Sequence, residues 1–82
     1  NKWYALFMTI PYKSLGIAKA GKVDVLNIKL PPAKIVQLVD RQYFYPAYHM
    51  NKKHWLTVIL QKDADISLVQ ELLAESYQLV EK

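Results

Sequence analysis

The stretch VDVLNIKLPPAKIVQLVD, residues 23–40, changes its period half-way. Val23 to Leu30 alternates, with Leu26, Ile28 and Leu30 on one face and Val25, Asn27 and Lys29 on the other, the two-residue repeat of a strand. Pro31-Pro32 then interrupts the ladder, because proline has no N–H to donate, and Pro32 suits a first helical turn where that N–H would be unused. Ile35, Leu38 and Val39 follow at helical spacing, with Lys34, Gln37, Asp40 and Arg41 turned outward. A strand therefore runs directly into a short amphipathic helix of about ten residues.

The flanking segments extend this pattern. Lys2 to Ile10 alternates Trp3, Ala5, Phe7 and Thr9 against Tyr4, Leu6, Met8 and Ile10. Both faces are mostly apolar, which predicts a central strand, and Pro11 ends it. Residues 11–22 form a polar connection holding Gly16 and Gly21. Gly16 and Gly21-Lys22 have the spacing of a phosphate loop, but Val23 replaces its hydroxyl residue and a strand follows instead of a helix. His54 to Gln61 reads as another strand, with His54, Leu56, Val58 and Leu60 opposed to Trp55, Thr57, Ile59 and Gln61. Asp63 or Asp65 then caps a closing helix whose buried stripe is Ile66, Val69, Leu73 and Val80, with Leu72 and Tyr77 beside it. This order predicts an α+β fold: a two-layer sandwich, an antiparallel sheet with helices on one face. The other face is expected to be partly open, presenting Asn27, Lys29, Trp55, Thr57 and Gln61.

Between the helix and the last strand lies FYPAYHMNKKHW, residues 44–55, which holds both histidines of the chain. Tyr43 to Met50 favours strand, and a four-residue loop Met50–Lys53 would set His49 opposite His54. Facing imidazoles suggest a metal, yet zinc takes three or four ligands and no cysteine is present, so strand-flanking histidines are the better reading and no metal or other cofactor is expected. Lys52-Lys53 at the tip, flanked by Tyr48, His49, His54 and Trp55, combines charge for phosphates with planar groups for stacking.

Charge is distributed unevenly. Residues 1–62 carry Arg41 and nine lysines against Asp24 and Asp40, whereas 63–82 carry five acidic residues against Lys82. Such a polarised field steers anionic partners, although scattered lysines also keep a small domain in solution and a single arginine is few for a nucleic-acid reader. Eighty-two residues make one domain. Without cysteine there is no disulfide or thiolate chemistry, and the longest nearly uncharged stretch, Trp3 to Tyr12, is too short to span a bilayer. No signal sequence is readable, so a cytoplasmic location is expected. Ser14, Ser67 and Ser76 have no evident catalytic partners, so no enzyme is expected.

The block Phe44–Lys52 with His54-Trp55 resembles the signature of the MmcQ/YjbR-like family, small bacterial proteins usually described as DNA-binding. Lys2–Leu6, Val23–Leu30 and Glu71–Tyr77 are similar to its second strand, third strand and closing helix. The resemblance implies a helix, three strands, a helix, two strands and a helix, an architecture shared with secretion-chaperone-like proteins that bind polypeptides. On that expectation residues 1–82 are a single domain forming roughly the C-terminal two thirds of the family domain, with one sheet edge left exposed for a second copy. The expected function is a non-enzymatic DNA-binding domain whose partner is double-stranded DNA, with no membrane. Lys29, Arg41, Lys52 and Lys53 would contact phosphates, and Tyr48, His49, Asn51, His54 and Trp55 would line the same surface. The competing expectation is a protein-interaction or dimerisation module using the open sheet face and the exposed edge.

Overall fold

The computed structural model describes residues 4–61 and 64–81, with side chains through Leu79. Strand β1 (Ala5–Pro11) leads through a 3-10 turn (Tyr12–Leu15) into β2 (Lys22–Lys29). Helix α1 (Pro32–Leu38), strands β3 (Phe44–Pro46) and β4 (Trp55–Ile59) and helix α2 (Ile66–Glu81) complete the chain. The strands form one four-stranded sheet in the order β1-β2-β4-β3, and every neighbouring pair is antiparallel. This is the α+β arrangement expected from the sequence. Pro32 does open α1 after the β2 ladder stops, and α1 is seven residues long.

Alternation along β2 and β4 sorts the core into two layers. Ile28, Leu30, Leu56 and Val58 face the helices and pack with Ile35 of α1 and Val69 and Leu72 of α2. Val23, Val25 and Ile59 face the other way and pack with Ile10, Leu15 and Tyr45. The second sheet face is therefore not open. The 3-10 turn brings Leu15 and Tyr12 over it, and the segment after β3 brings Tyr48. Asn27 and Thr57, expected on an exposed face, are 0% exposed. Lys29 and Trp55, which are paired between β2 and β4, are half-buried, and Gln61 remains exposed.

That covering layer is held by a polar ring. The Tyr48 N–H donates to Thr57 Oγ1 at 3.0 Å, and the Thr57 hydroxyl donates to Asn27 Oδ1. Asn27 Nδ2 closes the ring by donating to the Tyr48 carbonyl at 3.2 Å, and also reaches Met8 Sδ at 3.5 Å. Two side chains thus satisfy both backbone groups of Tyr48, as a neighbouring strand would. The sequence reading missed this because an alternating Asn or Thr looks like a solvent-facing residue until something is laid across it.

Among the described residues β1 pairs on one side only, with β2. The Lys29 N–H donates to the Tyr4 carbonyl and the Tyr12 N–H to the Gly21 carbonyl. With the register Ala5↔Ile28, alternation turns the backbone groups of Leu6, Met8 and Ile10 toward β2 and those of Ala5, Phe7 and Thr9 away from it. The apolar second face that suggested a central strand includes Phe7, which is 60% exposed. Lys2 and Trp3 lie outside the described residues.

Asp65 caps α2 by accepting the Leu68 N–H at 3.0 Å, while Asp63 lies outside the described residues. The buried stripe of α2 is Val69, Leu72 and Ser76, with Leu68 and Leu73 half-buried. Ile66 and Tyr77, expected in it, are exposed. Ile66 sits in the first turn, and the Tyr77 ring lies edge-on to Tyr4 with centroids 5.4 Å apart. The Val80 side chain lies outside the described residues. Ser76 takes the position an apolar residue was expected to hold, because its hydroxyl donates to the Tyr4 carbonyl at 2.8 Å.

Candidate nucleic-acid interface

The β3–β4 connection is longer than the expected four-residue loop. β3 ends at Pro46, opposite Leu56, so residues 47–54 form an eight-residue excursion. Its first half is tied to the sheet through Tyr48, and its second half is a turn built by Asn51. The Asn51 side chain accepts the Lys53 N–H at 2.8 Å, while its carbonyl accepts those of His54 and Trp55. His49 and His54 are consequently not cross-strand neighbours. His49 instead packs edge-on against Tyr48 with ring centroids 4.1 Å apart. Among the described residues no group of three or more His, Asp or Glu stands close enough to hold a metal.

A second loop approaches from the other end of β3. The Asp40 carboxylate accepts the N–H groups of Gln42, Tyr43 and Phe44 at 2.9–3.0 Å, while the Asp40 and Arg41 N–H groups both donate to the Phe44 carbonyl. The carboxylate is thereby occupied in folding the loop. Burial opposes its charge, but the hydrogen bonds from Phe44, Gln42 and Tyr43 outweigh burial and hold Asp40 below the ordinary carboxylate value.

Between these loops and the 3-10 turn lies a concavity of about 450 Å³, a size that suits a small ligand. Arg41, Tyr48, His49 and Lys52 line it, together with Ser14 and Tyr45, and none of its described lining residues is acidic. Arg41 and His49 have φ of 57° and 56°, positive values that among the described residues are otherwise seen only at Gly16 and Gly21. A left-handed backbone costs a side-chain-bearing residue roughly 1–2 kcal/mol, and such strain tends to collect where function requires it.

Of the nine residues expected to form one surface, the structure gathers Arg41, Tyr48, His49 and Lys52 in this groove. Asn51, Lys53 and His54 are exposed on the adjoining turn. Lys29 and Trp55 face each other across β2 and β4 and do not line the groove. Ser14 and Tyr45 were missed. Tyr45 reads as an ordinary apolar strand position, and Ser14 lies some thirty residues upstream in a turn whose docking only the tertiary fold reveals. A smaller apolar cleft of about 190 Å³ beneath the start of α2 has one charged lining residue, Asp65, whose carboxylate is used as the helix cap.

The rest of the surface is polarised in the same sense. Lys13, Lys19 and Lys22 are exposed around the 3-10 turn, with the Lys19 ammonium 4.7 Å from the centre of the Tyr12 ring. Glu71 and Glu75 are exposed on α2, where Glu75 makes only a loose 4.0 Å ion pair with Lys34. No described helix is long and apolar enough to cross a membrane.

Known proteins share this fold. A crystal structure of a Pseudomonas syringae protein superposes with a TM-score of 0.89 at 42% identity, over 95% of this chain and 67% of that one. A Deinococcus radiodurans crystal structure gives a TM-score of 0.67 at 31% identity, over 96% of this chain and 62% of that one. The uncharacterised Bacillus subtilis protein YyaQ is 33% identical over 79 residues, which are 96% of this chain and 67% of the relative. The chain thus spans about two thirds of the length of these relatives. With the YjbR family model also matching residues 1–79, the chain belongs to the YjbR family.

Proposed function

We propose that this is a non-enzymatic, cytoplasmic DNA-binding domain that contacts phosphates through the Asn51–His54 turn and the groove beside it. The observation that supports this reading is the gathering of Arg41, His49 and Lys52 in one concavity with no acidic residue in its lining. Lys53 is exposed next to it, and α2, which carries the exposed Glu71 and Glu75, packs its apolar side against the opposite sheet face. A surface of this kind attracts a polyanion by releasing its counterions and reads little sequence, because its charges suit phosphates rather than base edges. Fluorescence anisotropy of labelled duplex DNA at several salt concentrations tests it. Saturable binding whose logarithm falls linearly with the logarithm of salt is expected. No binding by the folded protein at low salt would overturn it.

A second reading has its own observation. Among the described residues the outer side of β1 has no neighbouring strand, and the backbone groups of Ala5, Phe7 and Thr9 beside the exposed Phe7 ring form a template for strand addition by a second copy of the chain. It predicts concentration-dependent self-association with little salt dependence, abolished by Phe7→Lys. A monomer at every concentration in sedimentation would discard it.

A further inference from the structure

One buried polar group has no role in the fold. Tyr45 is 6% exposed, yet no hydrogen bond among the described residues involves its hydroxyl. Among the described residues no fully buried side-chain polar atom lacks a partner, so this hydroxyl is not fully closed off from solvent. Tyr45 lines the groove of Arg41, His49 and Lys52. Burial, and the negative charge of Asp40 behind it, push the phenol above its ordinary value against the opposing effect of Arg41, so it remains a hydrogen-bond donor at neutral pH. A nearly buried donor with no acceptor calls for one from outside.

We propose that the Arg41–Tyr45–His49–Lys52 groove is a subsite for a phosphomonoester, the dianionic end group of a nucleic-acid strand or of a nucleotide. This deepens the DNA-binding reading and rests on it for the strand end. Four considerations converge on this ligand. The groove is a bounded concavity of about 450 Å³, on the scale of one nucleotide and not of a continuous backbone track. Its lining supplies two permanent cations, Arg41 and Lys52, a histidine and a neutral phenol donor, and no described carboxylate, while Asp40 behind Tyr45 is occupied by the N–H groups of Gln42, Tyr43 and Phe44. Arg41 is suited to a terminal phosphate because its guanidinium can donate two parallel hydrogen bonds. Finally, Arg41 and His49, the two non-glycine residues with left-handed backbone among the described residues, both stand in this lining. The Tyr48 ring, packed against His49, borders the same space and offers a face for the adjoining sugar or base.

The experiment compares one labelled duplex with and without a 5′-phosphate, and separately titrates adenosine 5′-monophosphate while recording amide NMR spectra. The expected result is about tenfold tighter binding of the phosphorylated duplex, with nucleotide-induced shifts confined to residues around Arg41, Tyr45, His49 and Lys52. Tyr45→Phe, which removes no hydrogen bond of the fold, should melt like the parent and lose most of that preference. Equal binding of both duplexes, with no localised shifts from the nucleotide, overturns the subsite and leaves the DNA reading standing. Localised nucleotide shifts with no duplex binding support the groove as a site for a free nucleotide and overturn the DNA reading. A Tyr45→Phe protein that keeps the full preference overturns the role given to the phenol.

Discussion

Replacing Thr57 by valine is close to isosteric, and a purely hydrophobic view of a core position would call it neutral or stabilising. The polar ring predicts the reverse. Thr57 Oγ1 accepts the Tyr48 N–H at 3.0 Å and donates a hydrogen bond to Asn27 Oδ1, and both Thr57 and Asn27 are 0% exposed. Valine would leave the Tyr48 N–H and Asn27 Oδ1 without partners. Each orphaned buried group costs about 1–3 kcal/mol, so with some relaxation toward solvent the pair should cost about 2–4 kcal/mol. For a domain of this size that corresponds to a fall in melting temperature of roughly 10–25 °C. Thr57→Ser keeps the hydroxyl and removes one methyl, which costs about 1 kcal/mol. Thermal melts followed by tryptophan fluorescence should therefore rank parent, then serine, then valine, with Tyr48 amide exchange accelerated selectively in the valine variant. A valine variant that melts at or above the serine variant would refute the reasoning and return Thr57 to the status of a packing residue.

Lys52→Glu with Lys53→Glu should leave the melting temperature unchanged and abolish DNA binding; unchanged affinity in the folded double variant would rule this surface out. Arg41→Gly removes a guanidinium and relieves a left-handed backbone together. It should raise the melting temperature by about 2–4 °C while lowering the log–log salt slope by about 0.9, one phosphate contact. A lower melting temperature would refute the strain assigned to Arg41, and an unchanged slope the contact. Asp40 lies below its ordinary value of 3.8, so the stability it confers is fully present above that value and is lost as pH falls through the lower folded-state pKa. The amide signals of Gln42, Tyr43 and Phe44 should move together in acid with a midpoint below 3.8, and a midpoint at or above it would contradict their hydrogen bonds to Asp40.

Local periodicity carried the reading of β2, β4 and the start of α1, because each has a clean repeat bounded by proline or a capping acid. What escaped was everything decided by chain crossing over itself. Asn27 and Thr57 alternate as solvent-facing residues should, and only the return of Tyr48 across the sheet makes them interior. Phe7 gave β1 the look of a strand covered on both faces, whereas it is 60% exposed and β1 has one neighbour among the described residues. Ile66 and Tyr77 are apolar enough for a core stripe, but the small Ser76 is what approaches the backbone of Tyr4. In the candidate site, the residues on one contiguous loop were legible as a basic, aromatic cluster. The contributions of Ser14 and Tyr45 depend on a turn docking across the sheet, which no local spacing encodes.

The Ser76 hydroxyl and the Tyr4 carbonyl stand 72 residues apart in the chain and 2.8 Å apart in space. A contact of that separation closes a long loop, and its entropic cost falls due before its energy is gained. Docking of α2 onto β1 is therefore a late event in folding. On the ribosome, β1 is made well before the helix that closes over the residue leading into it. During that interval the strand is open to pairing with a neighbouring nascent chain, and the Ser76 hydroxyl is one of the contacts that ends it.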